Sequence, residues 1–313
     1  VTDAPFHAAL ADGPPDPVCR WAQAGKVRIR LGWWAAGQKG TVLLLPGRTE
    51  FIEKYGRTAR DLAGRGYATI TLDWRGQGLS DRLLPDPQVG HVEDFADYQA
   101  DLDCMIAAAT EARLPKPWFL IAHSMGGCIG LRALMRGVPV SAAIFSAPMW
   151  GISMAAWLRP FAQVVASVAP LLGLGARFTP TTGTRSYLLD AAFEGNVLTT
   201  DRAMWDYMHA QVHAVPQFGL GGPSLAWLGA ALQECAALAA MPAPALPAIC
   251  ALGTAEKVVD LAPIHLRMAG WGNGQLDLYP GAEHEVMMEG PAVRSRFIDR
   301  AVTLFDAHRQ AQG

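Results

Sequence analysis

Charge is what this chain has least of. Only 17% of its 313 residues are Asp, Glu, Lys or Arg, against about 25% in average soluble domains. Lys and Arg number 26 against 28 Asp and Glu, for a net charge of -2 and an isoelectric point near 6.5. No basic field exists to hold a phosphate backbone, so nucleic acid is not an expected partner. Cysteine is sparse as well. Cys19, Cys104, Cys128, Cys235 and Cys250 are odd in number and show no CxxC spacing. They read as reduced, mostly buried thiols of a reducing compartment. No HExxH occurs and the eight histidines are scattered, so a bound metal is not expected. The opening VTDAPFHAALADGPPDP has no basic start and no apolar run, so it does not read as a secretory signal. The expected location is cytoplasmic. Unbroken hydrophobic spans are missing too: residues 140–158 are divided by Pro148, and 160–176 contain Pro170. A true span needs about 20 apolar residues without such breaks.

What the chain has is apolar substance, 51% of it hydrophobic, ample for a sizeable core. Short apolar runs alternate with amphipathic stretches. Strands are expected at VRIRLGWWA (27–35), TVLLL (41–45), YATITLD (67–73), WFLIAH (118–123), SAAIFSA (141–147), PAICALG (247–253) and QLDLYPG (275–281). From position 41 onward they are continuously apolar, as strands covered on both faces are. Phe51, Ile52, Tyr55, Ala59 and Leu62 recur at helical spacing, as do Phe95, Tyr98, Leu102, Ile106 and Ala109. This alternation predicts an α/β fold: a mostly parallel sheet with helices on both faces, and an antiparallel hairpin at one edge. After Pro148 the alternation stops until the Pro-rich return PAPALP. The expected organisation is a core of residues 1–148 and 243–313, with a helical cap of residues 149–242 inserted between two strands.

The chemistry-bearing motif is WFLIAH followed by Ser124-Met125-Gly126-Gly127 and an amphipathic helix. A sharp strand-to-helix turn lifts the serine hydroxyl above the sheet edge, and small neighbours keep it accessible. The helix N-terminus behind it offers free N–H groups and a positive dipole end. Such a serine needs a base. In this arrangement the order along the chain is nucleophile, acid, histidine. Of His209, His213, His265, His284 and His308, only His284 follows directly on a core strand. His91 reads as the start of a helix. His123, adjacent to Ser124, should point away from it on strand alternation. The acid belongs after PAICALG, where Glu256 and Asp260 are available. Glu256 is better placed, and Asp260 reads as the cap of the next helix. The oxyanion donors are expected at the N–H groups of Met125 and, after the turn at Gly47, of Arg48. The side chains of Arg48 and Glu50 are expected to pair.

LPGRTEFIEKY, LDWRGQGLSDR, IAHSMGG, GTAEKVVD and YPGAEHEVMMEG together resemble bacterial lysophospholipases related to monoacylglycerol lipases, within the α/β-hydrolase superfamily. The resemblance reaches into the cap, at NVLTTDRAMWDYM and GLGGPSLAWL. It implies hydrolysis of carboxylic esters of glycerol-based lipids through an acyl-enzyme, without cofactor or metal. Carried over by motif, Ser124 is the nucleophile, His284 the base, and Arg48 and Met125 the oxyanion hole. Two positions depart from the pattern: Ala122 stands where the family usually has Gly, and Glu256 where it usually has Asp. In the cap, Trp150, Trp157, Phe161, Trp205 and Trp227 are candidates to contact a lipid-like ester. The cap is also the expected site of any peripheral contact with the inner face of a membrane. The alternatives are another acyl hydrolase on the same scaffold (small-ester esterase, thioesterase or aminopeptidase) or a non-catalytic binder of apolar ligands.

Overall fold

The run TVLLL becomes β4 (Thr41–Leu45), every residue of which is buried. Its side chains alternate between two hydrophobic cores: Leu43 and Leu45 belong to one, Val42 and Leu44 to the other. A strand needs this character only when both sheet faces are covered. The computed structural model describes residues 2–154, 165, 168–180 and 182–309, and in it β4 lies inside a nine-stranded sheet.

The strands are β1 (Thr2–Asp3), β2 (Val18–Ala24), β3 (Val27–Trp34), β4, β5 (Ala68–Asp73), β6 (Trp118–His123), β7 (Ala143–Ser146), β8 (Ala248–Gly253) and β9 (Gly274–Tyr279), in spatial order β1-β2-β3-β5-β4-β6-β7-β8-β9. All pairs from β5 to β9 are parallel. β1, β2 and β3 form the antiparallel edge. The expected hairpin is therefore present, but its first arm, VCRWAQA, carried no strand signal. Its residues alternate irregularly between half-buried and buried, so neither strand pattern shows in the sequence.

Among the described residues, the helices of eight residues or more are α1 (Gly56–Ala63), α2 (Ala96–Glu111), α3 (Met125–Met135), α4 (Arg202–Ala214), α5 (Leu225–Ala239), α6 (Leu261–Ala269) and α7 (Pro291–Ala307). His91 lies five residues ahead of α2, in a loop rather than at a helix start, where its Nδ1 is 2.8 Å from Ser224 Oγ. The chain between β7 and β8 contributes no named strand among the described residues; α4 and α5 are its main elements. Side-chain caps set their starts: Asp201 accepts from the Met204 N–H at 2.8 Å, and Ser224 from the Trp227 N–H at 3.0 Å. No described helix is long and apolar enough to cross a membrane.

The turn after β5 is held by charge. Asp73 accepts from Arg30 Nε, the Ile52 N–H and the Leu79 N–H at 2.7–2.8 Å. Arg75 is clamped by Asp101 and Asp97. These side chains anchor the loop.

Candidate active site

Ser124 follows β6 and precedes α3, in a backbone conformation that only strain or function maintains: φ 50°, ψ −118°. Its N–H continues the sheet ladder to the Ser146 carbonyl at 3.0 Å, and its carbonyl accepts from the Gly127 and Met149 N–H groups at 2.9 and 2.8 Å. The two glycines of SMGG are required by space. A Cβ at Gly126 would collide with the Leu45 carbonyl, and one at Gly127 would stand 2.5 Å from Pro148 Cβ. Ala122, the departure from the GxSxG pattern, is accommodated from the other side. A Cβ at Gly130 would lie 3.1 Å from the Ala122 methyl, so the missing side chain at 130 leaves the room that a methyl at 122 takes up.

Ser124 and His284 line one cavity of about 520 Å³, together with Arg48, Glu50, Lys54, His123 and the chain between β7 and β8. His284 sits in the loop after β9, tied by its N–H to the Val197 carbonyl at 3.3 Å. Glu256, in the loop after β8, places Oε2 2.6 Å from His284 Nδ1. A carboxylate can only accept here, so Nδ1 carries the proton and Nε2 keeps the lone pair. The other Glu256 oxygen accepts from the Val258 and Val259 N–H groups at 2.5 and 3.1 Å. Burial alone would raise this carboxyl; the bond to His284, its charge and the two N–H groups outweigh burial and hold it below the ordinary carboxylate range. Asp260 caps α6, accepting from the Ala262 N–H at 3.1 Å. Thus the longer Glu reaches the imidazole, and Asp260 has the structural part.

Met125 opens α3, so its N–H has no carbonyl of its own helix to meet. Arg48 stands in the loop after β4 and lines the same cavity. Its side chain does not pair with Glu50. Arg48 Nη2 instead donates to the Gly221 carbonyl at 2.6 Å, and Cζ lies 5.4 Å from the centre of the Trp227 ring. Glu50 turns the other way. It accepts from Lys54 Nζ at 2.7 Å, from Tyr55 OH at 2.5 Å and from the Gly47 N–H. Alternation would put 48 and 50 on one side; Thr49 between them has a φ of 66°, which breaks the alternation and separates the two side chains.

His123 also lies elsewhere than strand alternation implies. Its ring centre is 4.8 Å from that of His284, and it lines the cavity. The reversal at Ser124 is the cause: with φ positive, the serine no longer continues the alternation of β6. His123 Nδ1 donates to the Ser146 carbonyl at 3.0 Å. Burial first, then the charges of His284 and Lys54, against the pull of Glu50, bring it down to about 4.

Behind the two imidazoles lies a buried charge cluster that the sequence reading passed over. Lys54 Nζ stands 2.7 Å from Glu50 Oε1 and 2.7 Å from Glu285 Oε2. Burial opposes the charge on Glu50, yet Lys54 outweighs it and Glu50 falls to about 2. Glu285, sharing the same ammonium, is raised, by burial and by the charge of Glu50. Glu50, His123 and Glu285 offer ligand atoms within 4.8 Å of one another, a spacing that suits a metal. The Lys54 ammonium already stands between the two carboxylates. Glu50 and Lys54 are spaced i, i+4 at the two ends of EFIEK (50–54), the one signal in the sequence that could have marked them.

The tryptophans expected to contact substrate divide. Trp227 lines the cavity. Trp150 does not: it is packed against Phe145 and Trp271, with Nε1 donating to the Gly127 carbonyl at 3.2 Å. The bond from the Met149 N–H to Ser124 turns the chain so that the next side chain enters the core. Trp205 is buried on α4 beneath Tyr187 and Phe193 and does not reach the cavity wall either. Trp157 and Phe161 lie outside the described residues. The apolar wall is formed instead by Tyr187, Leu188, Val197, Leu198 and Leu220, which no periodicity distinguishes from packing residues.

Residues 36–291 match the family described as serine aminopeptidase, S33. The chain is 32% identical to lysophospholipase L2 of Escherichia coli K12 over 290 residues, covering 87% of this chain and 82% of that protein. It is 29% identical to the probable lysophospholipase L2 of Haemophilus influenzae, covering 87% of each. Among solved structures it resembles a soluble variant of monoglyceride lipase from Saccharomyces cerevisiae in complex with a substrate analog, with a TM-score of 0.72, 20% identity, and 92% and 94% of the two chains covered. A strained serine between strand and helix, a Glu–His pair on the next loops and a match across most of the chain agree: this protein belongs to the serine aminopeptidase S33 family and has the α/β-hydrolase fold.

Proposed function

We propose that this protein hydrolyses carboxylic esters of glycerol-based lipids, as a lysophospholipase or monoacylglycerol lipase, through an acyl-enzyme on Ser124. The observation that carries the reading is the 2.6 Å contact between Glu256 and His284 Nδ1, in a cavity whose wall also holds the strained Ser124. His284 Nε2 takes the Ser124 proton as the hydroxyl attacks the ester carbonyl. Glu256 holds the imidazole in the required tautomer and stabilises its charged form. The N–H groups of Arg48 and Met125 take the oxyanion; loss of one such donor costs about 3–4 kcal/mol of barrier in known cases. His284 then gives the proton to the departing alcohol, and water repeats the steps in reverse.

An ester, rather than a peptide's free N-terminus, suits the charges in the cavity. Among the described residues lining it, Glu50 and Glu285 share Lys54, and Asp190 pairs with Arg185 at 2.8 Å. No carboxylate there is left to hold an α-ammonium group. The relatives named lysophospholipase and monoglyceride lipase favour the same substrate class. Residues 149–242 act as a helical lid that supplies the acyl wall through Leu188, Val197 and Leu198. Exposed Leu171, Leu172 and Leu174 support peripheral contact with a lipid surface.

Ser124→Ala is expected to remove ester turnover by roughly six orders of magnitude and to leave the circular-dichroism spectrum unchanged. Turnover retained in that variant overturns the mechanism. Product analysis with lysophosphatidylethanolamine, monoacylglycerol, a short-chain ester and an aminoacyl amide in parallel tests the substrate class.

A further inference from the structure

Among the described residues, the cavity lining contains three basic side chains besides its histidines: Arg48, Lys54 and Arg185. Two are matched by carboxylates, Lys54 by Glu50 and Glu285 and Arg185 by Asp190. Arg48 is matched by none among the described residues. Its Nη2 meets only the Gly221 carbonyl at 2.6 Å, its Cζ lies 5.4 Å from the centre of the Trp227 ring, and its Nε is shut from solvent without an acceptor. A half-buried guanidinium without a counter-charge is costly to keep.

The surroundings are nevertheless shaped to hold it. A Cβ at Gly90 would collide with the guanidinium, so that glycine forms its seat. Gly90 and Gly221 are themselves fixed by backbone bonds, from the Gly90 N–H to the Gly222 carbonyl at 3.0 Å and from the Gly221 N–H to the Gln88 carbonyl at 2.9 Å. The cation is thus held in place, facing the cavity that contains Ser124, with donor capacity unused. An anion is the ligand such a group takes.

We propose that the Arg48 guanidinium is the subsite for a phosphodiester monoanion on the alcohol side of the substrate. This deepens the ester-hydrolase reading and rests on it. In that reading the Arg48 N–H holds the carbonyl oxygen, which shares its carbon with the ester oxygen of the departing alcohol. From Cα to Cζ of an arginine there are as many bonds as from an sn-1 ester oxygen to the phosphorus of a glycerol phosphodiester. One residue therefore spans both the reacting group and the headgroup phosphate. Its backbone serves every ester, and its side chain selects those carrying the phosphate.

The test compares wild type, Arg48→Gln and Arg48→Lys on lysophosphatidylethanolamine and on monoacylglycerol of the same acyl chain, in the same detergent. The readout is the ratio of the two kcat/KM values, because damage to the oxyanion loop slows both substrates together and cancels. In Arg48→Gln the ratio is expected to fall about tenfold or more, with partial recovery in Arg48→Lys. An unchanged ratio overturns the subsite. A second arm does not depend on turnover. Glycerol 3-phosphate should slow fluorophosphonate labelling of Ser124 in wild type and not in Arg48→Gln, while glycerol should slow neither. Protection by glycerol 3-phosphate without turnover of either lipid would uphold the anion subsite and refute the lipid-ester reading. Inorganic phosphate protecting as well as glycerol 3-phosphate would overturn the headgroup assignment in favour of free phosphate.

Discussion

Two buried clusters in this molecule each set one cation between two carboxylates. Under the antiparallel edge, Arg30 reaches Asp73 at 2.8 Å and Glu53 at 2.7 Å, with all three side chains fully buried. Beneath the cavity, Lys54 reaches Glu50 and Glu285 at 2.7 Å each. The charge count is the same and the geometry differs. Arg30 presents a planar fork, and its partners are further bound by fixed backbone: Asp73 by the Ile52 and Leu79 N–H groups, Glu53 by the His7 N–H. Lys54 offers a point charge to carboxylates whose neighbours are functional groups. Glu50 also holds the Gly47 N–H beside Arg48, and Glu285 is the residue after His284. The first cluster joins β3 and β5 to the turn that carries Glu53. The second joins the segment just after Arg48 to the loop of His284. A buried ion pair is weak grounds for net stability, so the difference lies in what each one positions.

The largest effect expected on the cavity side is on rate. Glu256→Gln should lower kcat about ten-thousandfold in single-turnover assays, since the amide cannot hold the Nδ1–H tautomer. A fall below tenfold would mean that Glu256 does not orient His284. Next come the two cations. Lys54→Met and Arg30→Met each leave two buried carboxylates without their partner, and each should cost about 3–5 kcal/mol in urea unfolding. The comparison breaks on activity: at low temperature, where both variants fold, Arg30→Met should keep the kcat of wild type and Lys54→Met should not. Equal kcat losses would make both clusters scaffold only.

Acid should also act more strongly near the cavity. His123 is held neutral down to about 4, whereas a free imidazole takes its proton near 6.5. Between those values the unfolded chain binds the proton and the native one does not. Stability is therefore full above pH 6.5 and falls as pH drops toward 4, by on the order of 3 kcal/mol. His123→Gln should flatten the stability curve in that window; an unaltered slope would refute this origin of acid sensitivity. The smallest effect belongs to Tyr55→Phe. It removes one bond to Glu50 while Lys54 stays, and should cost about 1–2 kcal/mol, measurable as a shift in the urea midpoint.

The parallel sheet was legible because burial on both faces forces continuous apolar runs such as TVLLL and WFLIAH. β2 was not, because an edge strand is covered irregularly and its residues follow no period. Ser124 was legible because a strand, one serine and two glycines permit few other structures. The Glu256–His284 pair was legible from chain order. The direction of His123 was misread because alternation ends where the backbone reverses. Trp150 was misread because bulk and apolarity suit a core as well as a cavity wall.

The sequence by itself determined the layered sheet, the serine turn and the loops that carry its partners. All of these rest on local pattern: a burial period, a steric demand for glycine, a strand end. Only the tertiary structure decided that Lys54 would meet Glu285, that Arg48 would leave Glu50 for Gly221, and which residues between β7 and β8 would line the cavity with Ser124. Those contacts join segments up to 231 residues apart. Their partners are chosen by distance and dielectric in the folded state, and neither quantity is written in the order of residues.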